Sequence, residues 1–462
     1  MLLKYFYDDR LAQASYMIGC PDAGTAMVID ASRNIEPYLQ AAEQHELSIT
    51  HVVETHIHAD YTPGTRELAA LTNATIGLSA EGTEDWQYIF PDDNLQLLHD
   101  GDVIQLGAVK IEVMHTPGHT PEHISFLVTD LAVGDQPVGA FTGDFLFVGD
   151  VGRPDLLEKA AHVVGTANTG AHQQYANIER FKDLPDHLQI WPGHGAGSAC
   201  GKALGAVPST TLGYEKLFNP AFNQANEETF VNWLLADQPE VPGYFAHMKW
   251  LNKRGAPLLR ELPQAQHIRE MPSDDIVPPD ALFIDTRPPA DFAKRHLPGT
   301  INMPISENNF TTYIGYYVDY DKPVFFIAYE NDVMDVLEAL FSIGIDNVPG
   351  YFTDEVLADA SGTIKLLTPE EIYKSGMKIL DIRSASEHTS ERIDGTMHIH
   401  MGEIPQRLGD IPKDEPLAIH CGGGIRSVIV TSILQKAGFD NIVNMSDGID
   451  GWQKAGLPIV QS

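Results

Sequence analysis

The sequence feature that most constrains the fold is an internal repeat in the second half of the chain. Three segments recur in the same order in both copies: LFIDTR (282–287) and ILDIRS (379–384), PVFFIA (323–328) and PLAIHC (416–421), IGIDNV (343–348) and AGFDNI (437–442). Each copy places a buried strand, a loop and a helix in series, a pattern typical of a parallel sheet with crossover connections. We therefore predict two copies of one α/β domain, each of about 95 residues.

Residues 1 to about 200 alternate short apolar runs with Gly, Pro, Asp and Asn. Five runs are typical of strands that end in loops: AMVID (26–30), ITHVVETH (49–56), VKIEVMHTPGH (109–119), ISFLVTD (124–130) and AFTGDFLF (140–147). Helical spacing is found in NIEPYLQAAEQH (34–45) and RELAALT (66–72). Strands with interspersed helices predict an α/β layered domain.

The chain is long enough for several domains, because 462 residues correspond to two to four domains of the usual size. We expect a mostly helical stretch over 210–260, with breaks at Pro239, Pro242 and Gly243. The stretch 254–275 is polar and interrupted by prolines, as a linker would be. The expected division is a first domain over 1–250, a linker over 251–275, and the two copies over 276–360 and 361–462.

Charge and cysteine content exclude several functions. Lys and Arg number 30 and Asp and Glu 64, and the resulting net charge of −34 repels nucleic-acid phosphate and anionic lipid. Charges within the first ten residues argue against a signal peptide, and no window approaches the roughly 18 apolar residues of a membrane span. Three cysteines cannot form a disulfide framework, so we expect a cytoplasmic protein.

Four predicted strand ends deliver a histidine or an aspartate into a loop, beside Gly or Thr. The residues are His56, His58 and Asp60 in ETHIHADYTPG, His119 in TPGH, Asp144 in TGDF and His194 in WPGH. Imidazole and carboxylate together suit Zn, Fe, Mn or Ni. A single such histidine is more often a surface or core residue, but the ordered set predicts a metal site.

This order of motifs resembles the metallo-β-lactamase fold, an αββα sandwich with its metal at the strand ends, over roughly residues 1–250. Two-metal hydrolases of this fold carry HxHxDH, in which the last histidine serves the second metal. Tyr61 occupies that position here, and it is a poor ligand at neutral pH. The departure argues against a binuclear hydrolase and leaves a face of two histidines and one carboxylate, which non-haem Fe(II) oxygenases use.

The domain looks like the persulfide dioxygenases of this fold. The resemblance implies one Fe(II) per domain, with Zn as the alternative, and three ligands: His56, His119 and Asp144. It also implies that three neighbours orient the ligands or water: His58, Asp60 and His194.

Arg153, in GRPDL (152–156), matches the dioxygenase pattern in which an arginine lies near the substrate. Two interpretations remain open. The guanidinium could bind an anionic persulfide, or it could form a structural salt bridge with Asp150 or Asp155.

Two cysteines lie in the first domain. Cys20 follows the strand-like SYMIG, and Cys200 lies in GHGAGSACG, six residues after His194. Each is either a small buried apolar residue or a relay for transferred sulfur. The Gly-rich loop leaves backbone amides free near the metal, which favours the relay for Cys200, whereas both interpretations stay open for Cys20.

LAIHCGGGIRSVIVTSILQKAG predicts strand, loop and helix, with Cys421 at the end of the strand. Gly422, Gly423 and Gly424 allow successive N–H groups to point inward as an anion nest. The helix dipole and the positive charge of Arg426 act on the same point. Together these effects predict a thiol pKa in the range of roughly 3.5–7.5 that activated cysteines show, and hence a sulfur nucleophile.

This pattern resembles the rhodaneses, as do DIRSASEH and GIDGWQKAGLPI. Four residues separate Cys421 from Arg426, whereas cysteine phosphatases of related appearance have five, and the tighter loop favours sulfur over phosphate. In the first copy Ala328 replaces the cysteine and YENDV replaces GGGIR. That copy is therefore predicted to be inactive, with a spacer or docking role.

The order of dioxygenase domain, inactive rhodanese and active rhodanese resembles the fused persulfide dioxygenase–sulfurtransferases of bacterial sulfide detoxification. The resemblance implies a small-molecule thiol persulfide, O2 and sulfite as partners, with thiosulfate as the product of sulfur transfer through Cys421. A homo-oligomer is also expected. Two alternatives remain: a binuclear zinc thioester hydrolase of the glyoxalase II type joined to a rhodanese, and a non-enzymatic persulfide carrier.

Overall fold

The computed structural model describes residues 1–90, 94–156, 158, 165–358 and 360–461. The chain divides into two compact units. The first comprises Met1–Leu262 with Phe341–Gly344, and the second comprises Pro263–Leu340 with Ile345–Ser462.

The first unit is built on two six-stranded sheets with the orders β1-β2-β3-β4-β5-β6 and β12-β11-β10-β9-β8-β7. The strands of the first sheet are Leu2–Asp8, Gln13–Cys20, Thr25–Ile29, Ser48–Val53, Thr75–Ser79 and Leu95–Leu98. Those of the second, β7 to β12, are Val103–Leu106, Val109–His115, Ile124–Asp130, Gly139–Gly143, Gln189–Pro192 and Thr210–Thr211. The five strands predicted from apolar runs are confirmed.

The two sheets face each other across a shared apolar core. Ile18 and Ile29 from the first sheet pack with Ile111, Phe126 and Phe141 from the second. Helices cover the outer faces, because their apolar sides pack with the outward residues of each sheet. The result is the predicted αββα sandwich.

The helices of the first unit include those predicted over 34–45, 66–72 and 210–260, and one over Thr166–Lys182 that was not predicted. Their bounds are Glu36–Gln44, Thr65–Thr72, Thr166–Lys182, Leu212–Phe218, Glu227–Leu235 and Phe245–Arg254. The side chain of Asn226 accepts a hydrogen bond from the Thr229 N–H and caps one of them. The gap before Phe245 contains the predicted breaks at Pro239, Pro242 and Gly243.

The second unit contains two parallel five-stranded sheets with matching orders, β13-β17-β16-β14-β15 and β18-β23-β22-β19-β21. The strands β13 to β17 are Gln266–His267, Leu282–Asp285, Ile301–Asn302, Val324–Ala328 and Gly350–Thr353. The strands β18, β19, β21, β22 and β23 are Leu366–Leu367, Lys378–Asp381, Met397–His398, Leu417–His420 and Ile442–Met445. A small ribbon pairs β20 (Glu391–Arg392) with β24 (Val460–Gln461). The matching orders confirm the internal repeat.

The helices of the second unit connect these parallel strands. Their bounds are Pro289–Lys294, Phe310–Gly315, Val333–Ser342, Pro369–Ser375, Ala385–Ser390, Ile425–Lys436 and Gly448–Lys454. Among all helices of the described residues, none has the length and apolar character needed to cross a bilayer.

The segment 251–275, which the sequence suggested as a linker, contains regular structure at its start and at 266–267. The helix Phe245–Arg254 continues past residue 250. Gln266–His267 forms β13, whose backbone pairs in parallel with β17 through Gln266 and Gly350. These residues belong to the sheet of the first repeat copy rather than to a linker, because their hydrogen-bonding groups are satisfied by that sheet.

Candidate functional site

The folding of the first unit brings His56, His119 and Asp144 together beyond the ends of β4, β8 and β10. One ligand atom from each lies within 4.8 Å of the others. The ring centroids of His56 and His119 are 5.1 Å apart and the two rings are nearly perpendicular. Nε2 of His119 lies 3.5 Å from Oδ2 of Asp144. All three side chains are buried. The sequence-predicted ligands therefore converge on one point.

The Asp144 carboxylate has the character of a metal ligand. It is fully buried, and neither oxygen accepts a hydrogen bond from a described N–H or O–H group. Burial raises the pKa of Asp144, but His194 and His119 lower it by more, so the net direction is downward and the group is ionised. A buried carboxylate of this kind requires a compensating cation or hydrogen bonds.

Backbone and hydroxyl groups orient the two imidazoles. The Nδ1–H of His119 donates to the Arg153 carbonyl at 2.9 Å, which leaves Nε2 facing Asp144. Nδ1 of His56 lies 3.0 Å from Oγ1 of Thr55, whose hydroxyl donates in turn to Asp30. Such outer contacts select the tautomer that can bind a metal.

The glycines of the predicted motifs allow the backbone to approach these ligands closely. Gly143, directly before Asp144, has φ +47°, in the left-handed region that favours glycine. A Cβ on Gly193, in the second PGH motif, would lie 2.7 Å from Oδ1 of Asp144. A Cβ on Gly152 would overlap the Asp144 carbonyl. The TGD and PGH patterns therefore reflect steric demands at the site.

A second group of potential ligands adjoins the first. Asp60, His194 and Cys200 are buried and have ligand atoms within 4.8 Å of one another. Nε2 of His194 lies 3.2 Å from Oδ2 of Asp60 and 3.5 Å from Oδ1 of Asp144. The sequence assigned orienting roles to Asp60 and His194, and the structure places His194 beside Asp144 and Asp60 beside His194.

The Cys200 thiol stays protonated in this environment. Burial raises the pKa of Cys200 well above its ordinary value, and the carboxylates of Asp144 and Asp60 raise it further. The backbone of the same loop contributes to the scaffold, because the Arg153 N–H donates to the Cys200 carbonyl at 3.1 Å.

His58 and Tyr61 form a separate network with Asp30. Nε2 of His58 lies 3.1 Å from Oδ1 of Asp30 and 3.2 Å from the Tyr61 hydroxyl. That hydroxyl is also 3.2 Å from the Asp30 carbonyl, to which it donates. Burial lowers the pKa of His58, but Asp30 raises it by more, to about 9. Tyr61 stands where two-metal hydrolases have the histidine that binds the second metal, and its hydroxyl is hydrogen-bonded to the Asp30 carbonyl instead.

Four buried titratable residues near the site were missed by sequence reasoning: Asp30, described above, and His123, Glu54 and Glu122. Nε2 of His123 accepts the Asp144 N–H at 3.0 Å, while its Nδ1 contacts Thr116 at 2.8 Å. Burial raises the pKa values of Glu54 and Glu122 to about 7. The signal for His123 was its position four residues after His119, just before β9.

Arg153 forms a structural salt bridge with Asp155, one of the two interpretations that the sequence left open. Its guanidinium is fully buried and donates to both carboxylate oxygens of Asp155, at 2.7 and 2.8 Å. Nη1 donates to the carbonyls of Ala199 and Pro239. The contact with persulfide is disfavoured, because these groups already satisfy the charge and leave it no access to solvent.

Cys20 lies at the end of β2 in the apolar core between the sheets. Its Sγ accepts the Ala108 N–H at 3.5 Å. This environment corresponds to the buried, apolar interpretation of the two that the sequence left open.

The second site surrounds Cys421, directly after β22. The Gly424 N–H donates to Sγ at 3.2 Å, and Sγ lies 3.6 Å from Oγ of Ser427. Gly424 has φ +94°, which allows its amide to turn back onto the sulfur. The helix Ile425–Lys436 begins at the next residue, so its N-terminal dipole faces the same point.

The loop that follows Cys421 is held by the helix Gly448–Lys454. The Ile449 and Asp450 N–H groups donate to the carbonyls of Cys421 and Gly422 at 2.9 and 3.2 Å. A Cβ on Gly448 would lie 2.2 Å from the Gly422 carbonyl oxygen, so the tight contact requires glycine there.

Arg426 is paired, which the sequence did not predict. Its two Nη groups donate to the two carboxylate oxygens of Glu387 at 2.7 and 2.8 Å. Burial raises the pKa of Glu387, but Arg426 lowers it by more, to about 2. The guanidinium charge near Cys421 is therefore compensated. Glu387 was visible in the DIRSASEH segment, but only the fold brings it to Arg426.

The first repeat copy has a different pair at the corresponding place. Asp291 stands six residues after Asp285, as Glu387 stands six residues after Asp381. Asp291 accepts a hydrogen bond from the Tyr329 hydroxyl at 3.0 Å. With Ala328 in place of the cysteine, this copy has no nucleophile at its strand end, as predicted.

Each half of the chain matches a known domain family. Residues 8–194 match the metallo-beta-lactamase superfamily, and residues 264–350 and 368–455 each match the rhodanese-like domain. A crystal structure of a metallo-beta-lactamase from Staphylococcus aureus subsp. aureus COL is 42% identical and covers 76% of this chain and 99% of its own, with a TM-score of 0.69.

The curated relatives include different enzymes with similar sequence identity to this chain. The mitochondrial persulfide dioxygenase ETHE1 of Bos taurus is 26% identical over 49% of this chain and 78% of its own length. A hydroxyacylglutathione hydrolase of Polaromonas sp. (strain JS666) is 30% identical over 52% of this chain and 94% of its own. The chain spans 64% and 53% of two beta-lactamase hydrolase-like proteins, from Agrobacterium fabrum and Xylella fastidiosa. The chain therefore belongs to the metallo-β-lactamase superfamily and joins a domain of that fold to two rhodanese-like domains.

Proposed function

We propose that this chain is a persulfide dioxygenase–sulfurtransferase that oxidises a low-molecular-weight thiol persulfide with O2 and transfers sulfane sulfur through Cys421. The observation that carries the proposal is the convergence of His56, His119 and Asp144, two imidazoles and one carboxylate. Three ligands on one side of an ion leave adjacent positions open for a sulfur ligand and O2. The likeness to a persulfide dioxygenase of Bos taurus supports the same reaction.

The residues present fit a ferrous ion. Asp144 is ionised, buried and without an N–H or O–H donor, and Nε2 of His119 faces it as a second acceptor. Bound Fe(II) would supply the redox chemistry that joins O2 to the terminal sulfur of the persulfide. The protein fixes the ligand tautomers through Thr55 and the Arg153 carbonyl.

The overall oxidation is RSSH + O2 + H2O → RSH + SO3²⁻ + 2H⁺. The S–S bond of the persulfide breaks, the terminal sulfur is oxidised to sulfite, and O2 is reduced. The surrounding side chains of the site are buried, which limits access of bulk water to the reacting sulfur.

The second reaction takes place at Cys421. Its thiolate attacks the sulfane sulfur of a thiol persulfide, a new S–S bond forms to Cys421, the S–S bond of the donor breaks, and the thiolate RS⁻ leaves. Sulfite then attacks the terminal sulfur of the Cys421 persulfide, which releases thiosulfate and restores the thiolate. The Gly424 N–H, which donates to the Cys421 sulfur, stabilises negative charge on it.

A second candidate function is hydrolysis of a thioester by a binuclear zinc site. It is favoured by the group of Asp60, His194 and Cys200, which could bind a second ion beside the first. It is disfavoured by Tyr61, which points to Asp30 and His58 instead. The 30% identity to a hydroxyacylglutathione hydrolase supports this alternative.

The test is metal analysis of anaerobically purified protein, combined with O2 consumption after addition of glutathione persulfide. We expect one iron per chain, uptake of O2 and release of sulfite, all abolished in His119→Ala. Two zinc ions per chain with hydrolysis of S-lactoylglutathione and no O2 uptake would establish the hydrolase. Sulfur transfer without any metal would support the non-enzymatic carrier.

A further inference from the structure

Three hydrogen bonds form a closed ring around the Cys421 sulfur, and Gly424 takes part in two of them. The Gly424 N–H donates to Sγ at 3.2 Å, and the thiol donates to Oγ of Ser427, which lies 3.6 Å from Sγ. The Ser427 hydroxyl donates in turn to the Gly424 carbonyl at 3.0 Å. Because Cys421 and Ser427 are both buried, these bonds take the place of contacts with water.

The Ser427 hydroxyl has a single hydrogen, which is donated to the Gly424 carbonyl. An oxygen lone pair is what this side chain presents to Cys421. A lone pair suits the S–H group of the thiol, because S–H is a donor that needs an acceptor. The arrangement in the structure is therefore the one that fits the protonated cysteine.

Ionisation of the thiol reverses what the sulfur requires from Ser427. The S–H bond breaks, its proton passes to solvent, and the sulfur is left with acceptor character alone. An oxygen lone pair would then face a negative charge. Rotation of the hydroxyl about its Cβ–Oγ bond replaces that lone pair with the O–H group. The new hydrogen bond is favoured over the one to the carbonyl, because a bond to an ionised acceptor is roughly twice as strong as a neutral one.

The inactive rhodanese copy lacks this hydroxyl as well as the nucleophile. Ser427 stands six residues after Cys421, and Met334 stands six residues after Ala328. The Met334 side chain is 73% exposed, whereas Ser427 is fully buried. Of the two copies, the one that contains a cysteine is thus the one that buries a hydroxyl at this position.

Charged and titratable groups also surround the Cys421 loop. They are Glu387, His420, Arg426, Asp450 and, from the first copy, Tyr313. Arg426 is paired with Glu387 through two hydrogen bonds, so its charge is already compensated. Substitution of Ser427 leaves all of these groups in the chain, and a comparison of Ser427 variants therefore isolates the effect of the hydroxyl.

We propose that Ser427 is a positioning residue that stabilises the Cys421 thiolate by turning its hydroxyl from the Gly424 carbonyl to the sulfur when the thiol ionises. The inference rests on the proposed function and deepens it. In the first step of sulfur transfer the thiolate attacks the donor, and in the second step thiosulfate leaves and the thiolate is restored. Each step has negative charge on Sγ at one end, so a donor that turns towards this charge favours both.

The test measures the pH dependence of Cys421 alkylation by iodoacetamide in the full-length protein, followed by mass spectrometry of the Cys421 peptide. Ser427→Ala should raise the pH of half-maximal alkylation rate by about one unit, because a hydrogen bond to a charged group is lost. Ser427→Thr keeps a hydroxyl and should retain the wild-type value. Thr431→Val is the matched control, since the Thr431 hydroxyl lies one turn further along the same helix and donates to the Ser427 carbonyl at 2.7 Å.

An unchanged alkylation midpoint in Ser427→Ala would overturn the proposal. An equal upward shift in Ser427→Thr or in Thr431→Val would also overturn it, since a disturbed helix would then explain the effect. The alkylation assay contains neither persulfide nor sulfite, so its outcome is separate from that of the proposed function, which is wrong if the wild-type protein forms no thiosulfate.

Discussion

Nε2 of His119 lies 3.5 Å from Oδ2 of Asp144, and both atoms are hydrogen-bond acceptors. The Nδ1–H of His119 is already donated to the Arg153 carbonyl, so no proton is left to bridge the two lone pairs. Burial also lowers the pKa of His119, which keeps the ring neutral. Two acceptors that face each other in a buried site require a cation between them.

Asp144→Asn tests this relationship directly. The amide N–H can donate to Nε2 of His119, so the metal-free protein should be stabilised by about 1 kcal/mol, while metal binding and O2 uptake are lost. Urea denaturation of the metal-free proteins and metal analysis provide the two measurements. A metal content equal to that of the wild type would contradict the assignment of Asp144 as a ligand.

Gly193→Ala should weaken metal binding without altering any ligand. The added Cβ would lie 2.7 Å from Oδ1 of Asp144 and displace the carboxylate. We expect a loss of metal affinity and a stability cost of about 1–3 kcal/mol. Gly134→Ala is the control, because a Cβ there meets no atom within 4 Å. Equal metal affinity in both variants would contradict the steric argument.

Cys200→Ser distinguishes the mononuclear site from the binuclear alternative. If His56, His119 and Asp144 hold the single ion, the variant should retain one metal per chain and most of its O2 uptake. A fall from two ions to one would instead identify Cys200 as a ligand of a second metal. Elemental analysis per chain measures the difference.

Cys421→Ser should separate the two proposed reactions. O2 uptake with glutathione persulfide should persist, because the oxidation uses the metal centre, whereas thiosulfate formation should fall to background. Cys20→Ser is the control, since Cys20 lies in the core of the first unit. Thiosulfate formed at the full rate by Cys421→Ser would refute the role of Cys421.

The Glu387–Arg426 pair should contribute stability that disappears in acid. The folded pKa of Glu387 is about 2, below its ordinary 4.5. The contribution is therefore present above pH 4.5 and is lost as the pH falls towards 2. The side chain of Glu387 is 36% exposed, so we expect only about 1–2 kcal/mol after solvent screening.

The measurement compares the unfolding free energy of the wild type with that of Glu387→Gln. The difference between the two proteins should be largest near neutral pH and should shrink at about pH 3, where Glu387 begins to protonate. A difference that stays constant with pH would show that the carboxylate charge does not stabilise the fold.

Much of the architecture was predictable because it depends on local pattern. Five apolar runs became β3, β4, β8, β9 and β10, and those of β4, β8 and β10 lead into ligand motifs. The repeat predicted two parallel sheets of one topology, since both copies repeat the same strands in the same order. The linker was misjudged at Gln266–His267, because a two-residue strand has no periodicity that a sequence can display.

By itself, the sequence determined which residue types occur at the strand ends, and hence the convergence of His56, His119 and Asp144 and the position of Cys421. The tertiary structure chose Asp155 among the partners that the sequence left open for Arg153. It alone paired Arg426 with Glu387, which lies 39 residues away in the chain. Strand ends are set by local backbone preferences, whereas the partner of a buried charge depends on which distant side chain the fold brings within a few ångströms.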